Sequence, residues 1–420
     1  MTMPAFDTLA EPVAVETVVV TRQPIMDATN RLIGYDLLVN ASEWTDETAD
    51  AAARRDSVQR ALMHVFVDLG VERLVGTADA FLSLPRAALA IAGSLPITGN
   101  RAVIAIDLGT PLDQETVNHI GTLRRKGFRI ALENAPAGVH GPLIQRALEN
   151  AQFAKYAIGD KPDAAALKWM RSYGLRTIVT GIDDRELLHA ATSLGADGFQ
   201  GCYLCEPESV VSTSLRENKV SVLRLLAAIE DPTNGPVELD AIIRTDATLS
   251  YKVLRCVNSA YFSLPVKVRS VLHATVYLGV NRIRNWIRMI AISGLQDCPT
   301  ELLKFALIRG RMCELLAAKL PNDQREMAFT VGLFSLLDAL LNAPLEELLS
   351  RIPLTDEIRN ALVKRTGPLA RLLEPVEACE RGDWRKLEAS GFATGICAGA
   401  YVDAVAWAEN VFEIGEAQPA

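Results

Sequence analysis

The chain has 420 residues, more than one hydrophobic core of typical size holds, so we expect two domains. Hydrophobic residues make up 49% and charged residues 22%, which excludes an intrinsically disordered chain. The net charge of -8 argues against broad nucleic-acid binding, because neutralising phosphates requires a basic face.

The chain start lacks the basic segment and apolar run of a secretory signal, and no apolar stretch reaches the ~20 residues needed to span a bilayer. We therefore expect a cytoplasmic protein without membrane insertion. Cys202 and Cys205 form a C-x-x-C, which is compatible with a redox pair or half a zinc site. No second such pair or nearby histidine completes a metal site, so we favour two ordinary thiols at a strand end and expect neither metal nor cofactor.

The first half alternates β-rich runs with segments of helical periodicity. Strands are predicted at 18–25, 32–39, 80–84, 101–108, 129–133, 154–158, 176–180 and 198–203. Helices are predicted at 54–69, 114–126, 142–150, 164–173 and 184–194. This repetition predicts a parallel sheet closed into a (β/α) barrel, whose reactive groups lie at the C-terminal ends of the strands.

The second half contains only helical patterns. Helices are predicted at 219–229, 238–245, 249–258, 270–278, 281–293, 300–319, 326–341, 344–351, 356–364, 384–388 and 392–411. The predicted fold class is thus α/β plus all-α. The predicted divisions are a flexible N-terminus at 1–16, a barrel domain at 17–210, a helical domain at 211–410 and a tail at 411–420.

Three runs of the first half carry a family resemblance: R-Q-P-I-M-D at 22–27, G-Y-D-L-L at 34–38 and F-Q-G at 199–201. They resemble EAL domains, the phosphodiesterases that open cyclic di-GMP, in the variant that carries a C-terminal HDOD domain. The resemblance implies a TIM-like barrel whose active members hold two divalent cations with carboxylate and amide oxygens, as two-metal hydrolysis requires.

The positions that this resemblance maps to the EAL site depart from the family pattern. Asp36 is a shorter acid than the glutamate that the family has at this position. Ala105 stands where the family has a second, metal-binding glutamate and offers no oxygen ligand, and Asn40 replaces the phosphate-binding arginine. Glu133 and Asn134 stand where the family has two aspartates. The mapped site positions are Gln23, Asp36, Ser83, Ala105, Glu133, Asn134, Lys155, Thr180 and Gln200. Because so few carboxylates remain, we expect no bound metal pair and no phosphodiesterase activity.

The second half resembles HDOD domains, a helical family related to metal-dependent HD phosphohydrolases, in its D-x-x-L-S and V-N-S-A-x-F runs. The motif positions are Asp246, Leu249, Ser250, Asn258, Ser259, His273 and Gly279. The histidine–aspartate dyad of the related hydrolases would fall at Ser335 and Leu336. The favoured roles are helix capping for Asp246, Asn258 and Ser259, and helix packing for His273.

A basic edge formed by Arg282, Arg284 and Arg288 surrounds Trp286. Such an edge can take a phosphate, a carboxylate or a nucleic acid, but a solvated helix face is the favoured interpretation.

The leading functional hypothesis is a catalytically inactive adaptor that relays signals by protein–protein interaction. The resemblance implies cyclic di-GMP-linked control of motility, surface behaviour or virulence in a bacterium. Cyclic di-GMP enzymes, response regulators and kinases are candidate partners, whereas binding of cyclic di-GMP and of nucleic acid is not expected. The alternatives are a cyclic di-GMP-binding sensor and a weak cyclic di-GMP phosphodiesterase.

Overall fold

The computed structural model describes residues 19–40, 70–84, 86–93, 101–108, 112–135, 141–159, 164–207, 217–244, 253–254, 257–258, 268, 270–293, 295 and 298–416. The predicted helix at 54–69, the predicted N-terminal segment at 1–16 and the motif residues Asp246, Leu249, Ser250 and Ser259 lie outside these ranges.

Eight strands form a closed barrel in sequential order, which confirms the predicted barrel. The strands are β1 Val19–Met26, β2 Leu32–Asn40, β3 Asp79–Leu84, β4 Ala102–Asp107, β5 Arg129–Glu133, β6 Phe153–Ala157, β7 Arg176–Thr180 and β8 Gly198–Gln200. Its described helices are α1 Val71–Val75, α2 Leu89–Ala92, α3 Gln114–Arg125, α4 Pro142–Asn150, α5 Ala164–Ser172 and α6 Arg185–Ser193. Strand β1 runs antiparallel to both of its neighbours, β2 and β8, while the remaining pairs are parallel.

The barrel interior is a compact apolar cluster. Its members are Ile25, Phe81, Val103, Ala105, Ala131, Phe153 and Ile178. Phe81 and Phe153 meet edge to face with ring centroids 5.2 Å apart. Ala105 is fully buried in this cluster, so this mapped site position fills the floor of the barrel mouth.

Strand β8 ends at Gln200, three residues earlier than predicted, and Tyr203–Cys205 forms a 3₁₀ turn. The chain leaves the sheet at Gly201, where an added Cβ would lie 1.9 Å from the carbonyl oxygen of Ile182. Close backbone approach therefore requires glycine here. The C-x-x-C thus lies in a turn beyond the strand rather than at its end.

The second half is helical throughout its described part. Its helices are α7 Glu217–Glu230, α8 Pro236–Arg244, α9 Val271–Leu278, α10 Val280–Ser293, α11 Thr300–Leu316, α12 Asn322–Phe334, α13 Leu337–Leu341, α14 Leu345–Ser350, α15 Asp356–Arg359, α16 Leu373–Arg381, α17 Trp384–Ala389 and α18 Thr394–Glu416. Helix α16 was not predicted from the sequence. Helix α18 continues to Glu416, so much of the predicted tail at 411–420 is helical.

The predicted single helix at 326–341 is wrong, because the chain breaks it into α12 and α13. At the break, the Ser335 hydroxyl donates to the Gly332 carbonyl, 2.7 Å away, and accepts a hydrogen bond from Arg309. A serine hydroxyl that bonds a carbonyl of the preceding turn competes with the helical ladder. Gly332 also packs closely against α11: an added Cβ at this position would lie 2.3 Å from the carbonyl oxygen of Arg309.

The helical half packs directly on the first barrel strand. Helices α16 and α18 contact β1, and α18 also packs on α11 and α1. The Tyr401 hydroxyl on α18 donates to the backbone carbonyl of Arg22 over 3.2 Å, although the two residues are 379 positions apart. Strand β1 is therefore shared between the barrel and the helical half. None of the described helices combines the length and the apolar character that a bilayer crossing requires.

Candidate functional site at the barrel mouth and domain interface

A buried lysine lies at the centre of the barrel mouth. Lys155 on β6 stands in register with Glu133 on β5, and its Nζ lies 2.6 Å from Glu133 Oε1 and 2.8 Å from Asp36 Oδ2. Lys155 is 5% exposed and Asp36 2% exposed. Burial opposes ionisation of Lys155, but the two carboxylates outweigh it and raise the pKa of the ammonium above its ordinary value. The mouth thus carries an internal cation between the buried Asp36 and the half-buried Glu133.

Three further mapped residues connect to this ion cluster. The Gln200 amide on β8 donates to Asp36 Oδ2 and to Gln23 Oε1, each over 2.9 Å. On the other side, the Ser83 hydroxyl donates to Glu133 Oε1 over 2.8 Å. Six strands therefore contribute to one hydrogen-bonded network.

The remaining mapped residues lie at the rim. Asn134 adopts a left-handed conformation with φ 50° and donates to Asp107 Oδ1 over 3.1 Å. Thr180 pairs in register with Gln200 at the end of β7. Asp107 was missed by sequence reasoning, although an acid at the C-terminal end of a buried strand is itself a signal for such a position.

The oxygen ligands at the barrel mouth can be compared with those that the two divalent cations implied by the resemblance would require. Hard cations each require six or more oxygen ligands, and negative charge must hold them. Here the carboxylates of Asp36 and Glu133 are both bound by Lys155, and Ala105 supplies no oxygen. Within the described ranges no three His, Cys, Asp or Glu side chains come together. These residues do not fit a metal pair. Two buried acceptors, Asp36 Oδ1 and Gln200 Oε1, have no hydrogen-bond partner in the described part, which leaves room for one donor there.

The network continues from the barrel into the helical half. The Gln23 amide donates to the main-chain carbonyl of Glu380 on α16, 2.9 Å away. The Glu380 carboxylate forms a bidentate pair with Arg309 on α11, at 2.9 Å from Nε and 2.8 Å from Nη2. Arg309 Nη1 then donates to Ser335 Oγ over 3.0 Å. Ser335 is the position where the resemblance places the dyad of related hydrolases, so the two mapped sites are joined by hydrogen bonds.

The Arg309–Glu380 pair is deeply buried, at 6% and 4% exposure. Burial opposes the charge of Arg309, but the carboxylate of Glu380 outweighs it and raises the pKa of the guanidinium above its ordinary value. Arg309 is therefore a fixed positive charge.

A second buried ion cluster lies where α11 and α18 meet the barrel. Arg22 on β1 donates to Glu409 Oε1 over 2.7 Å, and Tyr35 on β2 donates to Glu301 Oε2 over 2.7 Å. Lys304 lies 3.0 Å from Glu409 and 3.2 Å from Glu301. The Arg22 guanidinium also lies 4.1 Å from the centre of the Tyr35 ring. Burial raises the pKa of the Tyr35 hydroxyl, which keeps it protonated as a donor.

The HDOD motif residues that the structure describes stabilise the local backbone and packing, and they do not form a site. Asn258 donates to the carbonyls of Leu254 and Val268, and its side-chain oxygen accepts from the Val268 amide over 2.7 Å. His273 packs edge to face on Tyr277 with centroids 5.3 Å apart. Gly279 ends α9 with φ 81°, a conformation that favours glycine.

The predicted solvated basic edge is wrong for Arg288. This side chain is buried and bonded to Glu230, because α10 packs against α7. Arg284 donates to the Asn234 carbonyl, and only Arg282 of the three is exposed.

The two cysteines of the C-x-x-C are poor nucleophiles. Burial raises the pKa of Cys202 to about 11 and moves the pKa of Cys205 further in the same direction. A protonated thiol is neither a metal ligand nor a redox nucleophile at neutral pH.

The interface residues were not identified from the sequence. Arg22 interrupts the apolar strand V-V-V-T-R-Q, and Arg309 interrupts the apolar helix F-A-L-I-R-G. An arginine inside an apolar run requires a buried carboxylate partner, so each was a usable signal that a distant acid would meet it.

The helical half contains an HDOD domain, since the family model described as "HDOD domain" matches residues 217–347. Together with the closed eight-stranded barrel that precedes it, this match defines a two-domain protein of EAL–HDOD architecture.

Two relatives match across both domains. The cyclic di-GMP phosphodiesterase CdgJ of Vibrio cholerae is 29% identical over 382 residues, covering 89% of this chain and 87% of that protein. The uncharacterized protein YuxH of Bacillus subtilis is 25% identical over 410 residues, covering 94% of this chain and 99% of that protein.

Solved EAL structures align with a part of the chain that is about as long as the barrel. The PaMucR phosphodiesterase in complex with c-di-GMP has a TM-score of 0.37 and 18% identity, covering 44% of this chain and 94% of that chain. The EAL domain protein of Listeria monocytogenes has a TM-score of 0.35 and 17% identity, covering 44% and 87%.

The relative CdgJ overturns one prediction. We expected a chain that is not an enzyme, whereas a relative that matches 89% of it is named a cyclic di-GMP phosphodiesterase, which points to enzymatic activity. That expectation is corrected accordingly.

Proposed function

We propose that this protein acts in the cytoplasm, in cyclic di-GMP-linked control, as a relay whose barrel mouth and HDOD domain report on one another and present a joint surface to signalling proteins. Candidate partners are response regulators, kinases and cyclic di-GMP enzymes. Motility, surface behaviour or virulence is the class of output that the EAL–HDOD resemblance implies.

A single observation carries this proposal: a chain of residues, each hydrogen-bonded to the next, runs from the barrel mouth to the HDOD interior and crosses the interface at Glu380, which uses both its backbone carbonyl and its carboxylate. The path comprises Glu133, Lys155, Asp36, Gln200, Gln23, Glu380, Arg309 and Ser335. The seven contacts are 2.6–3.0 Å long, within the usual range of hydrogen-bond lengths. A group displaced at the mouth must therefore shift its neighbours or break a bond.

The path has the properties that coupling between domains requires. It contains buried charged groups on both sides of the interface, Lys155 and Asp36 in the barrel and Arg309 and Glu380 in the helical half, so rearrangement at one end changes the electrostatic balance along it. The end-to-end match of YuxH and the near-complete match of CdgJ support a unit in which the two domains occur together.

Hydrogen exchange measured by mass spectrometry on the full chain tests the relay. Lys155→Met perturbs the barrel mouth, and Lys168→Met, on the exposed face of α5, is the matched control. We expect Lys155→Met to accelerate exchange in the HDOD segment 373–381, and to cause no further acceleration there when Gln23→Leu has already broken the path. Acceleration confined to the barrel strands would reject the relay.

Hydrolysis of cyclic di-GMP is the second candidate function. It is favoured by the name of the relative CdgJ and by the two buried acceptors, Asp36 Oδ1 and Gln200 Oε1, that lack partners in the described part. Incubation with cyclic di-GMP and Mg²⁺ or Mn²⁺, followed by chromatography, should then yield the linear dinucleotide, and Asp36→Ala should remove it.

A calorimetric titration of the full chain with cyclic di-GMP separates hydrolysis from binding alone. Binding without product would identify a sensor. Absence of both heat and product would remove the nucleotide as a direct ligand of the barrel and leave the relay as the function.

A further inference from the structure

A cavity outside the hydrogen-bond path lies within the HDOD domain. It has a volume of about 190 Å³, and α10, α11, α12 and α18 each contribute to its lining. Its lining includes Arg282, Asn285, Trp286, Arg311, Phe329 and Trp407.

The floor of this cavity is aromatic. Trp407 meets Trp286 and Phe329 edge to face, in both cases with ring centroids 6.0 Å apart. Trp286 and Phe329 are buried, and Trp407 is half-buried, so indole surface faces the space. Aromatic surface of this kind attracts a planar ring by stacking.

The rim of the cavity is cationic. Arg311 lies with its guanidinium carbon 5.9 Å from the centre of the Trp407 ring and is held in place by Glu314, 2.6 Å from its Nη1. Its Nε is buried and has no hydrogen-bond partner in the described part of the chain. A buried donor without a partner indicates a water or ligand that completes the site.

Two further rim groups can donate to an anion. Arg282 is exposed at the edge of the cavity. The Asn285 carbonyl oxygen accepts a hydrogen bond from Arg288, so the amide NH₂ is the end that points to other partners. Guanidinium and amide donors beside an aromatic floor match a ring that carries an anionic substituent.

The size of the cavity restricts the ligand. A dry cavity of roughly 150 Å³ accepts benzene, whereas sites for drug-sized ligands occupy roughly 300–1,000 Å³. The cavity therefore encloses one ring system, with any charged group left at the rim.

From these observations we propose that the cavity binds a purine mononucleotide, with the base against Trp286 and Trp407 and the phosphate at Arg282 and Arg311. None of the residues of the relay path lines this cavity.

Isothermal titration calorimetry of the full chain with GMP tests this proposal, with guanosine as the probe that lacks phosphate. We expect saturable GMP binding that Arg282→Ala weakens roughly tenfold, the cost of one charge-assisted hydrogen bond. Arg385→Ala, an exposed arginine on α17, is the control that should leave binding unchanged. Guanosine should bind at least tenfold more weakly than GMP.

Because Arg282 is exposed, its substitution leaves the fold intact and keeps the test decisive. The absence of GMP binding, or equal affinity in Arg282→Ala and Arg385→Ala, would overturn the proposal. Binding of an acidic tyrosine-containing peptide in place of GMP would overturn it as well and would identify a protein-docking cavity.

Discussion

The side-chain amide of Gln23 donates a hydrogen bond to the main-chain carbonyl of Glu380, 2.9 Å away across the domain interface. The same glutamine accepts from Gln200 through its carbonyl oxygen, so both ends of one amide are used, one in each domain. An amide in this position transmits displacement in either direction, because neither of its groups has a substitute partner nearby in the path.

Replacing Gln23 with leucine should loosen α16 without unfolding the barrel. Leucine keeps the volume but removes both hydrogen bonds, at a cost of about 1–3 kcal/mol when the remaining buried group is left unsatisfied. Hydrogen exchange should rise in the segment 373–381. Gln145→Leu removes an exposed glutamine bond of equal length on α4 and should leave that segment unchanged. Equal protection in both variants would contradict the prediction.

Breaking the buried Arg309–Glu380 pair should be strongly destabilising. Arg309→Met leaves an uncompensated carboxylate at 4% exposure and should cost about 3–5 kcal/mol. Adding Glu380→Leu removes the orphaned charge and should restore most of the loss. Chemical denaturation measures both variants. Arg351→Met breaks the exposed pair with Glu347, at 2.6 Å, and should cost under about 1 kcal/mol. A similar cost at both sites would show that burial does not govern the effect.

Lys155→Met should destabilise the barrel because it leaves Asp36 and Glu133 without the cation that they share. We expect a loss of about 3 kcal/mol, measured as a lower melting temperature. The loss should shrink only at alkaline pH, because the raised pKa of Lys155 keeps its ammonium charged until the pH rises through that value. Lys168→Met at an exposed position supplies the control. A pH-independent effect would indicate lost packing rather than lost charge.

The Arg22–Glu409 pair should make stability depend on acid pH. Burial alone would raise the pKa of Glu409, but Arg22 and Lys304 outweigh it and hold the pKa below its ordinary value. A depressed pKa contributes stability above the unfolded value of about 4.3, and that stability is lost as pH falls through the folded pKa. The difference in melting temperature between the wild type and Glu409→Gln should therefore be largest near pH 7 and shrink below pH 4. A constant difference from pH 7 to pH 3 would refute this linkage.

Strand positions were predictable because a buried parallel strand is an apolar run between turn residues. The predicted strand at 129–133 has the bounds of β5, and the predicted strand at 176–180 has those of β7. Periodicity alone did not separate α12 from α13, since their break depends on a hydrogen bond from Ser335 to Gly332 and on Arg309 from another helix.

The barrel-mouth positions could be placed at strand ends from the family motifs, but their connections could not. That Lys155 bridges Asp36 and Glu133 depends on strand register around the closed barrel, which brings residues 119 positions apart together. Helix α16 was missed because Pro375 lies in its first turns, where proline is tolerated but reads as a breaker. With α16 missing, Glu380 had no predicted place in the interface.

The hydroxyl of Tyr401 bonds the backbone of Arg22, 379 residues earlier in the chain. A ribosome must therefore make residues 394–416 before β1 can acquire its outer neighbour, and the nascent barrel waits with one side of its opening strand uncovered. The sheet can close once β8 is made, whereas β1 is covered only after α18, so closure of the barrel and covering of its first strand are separate events.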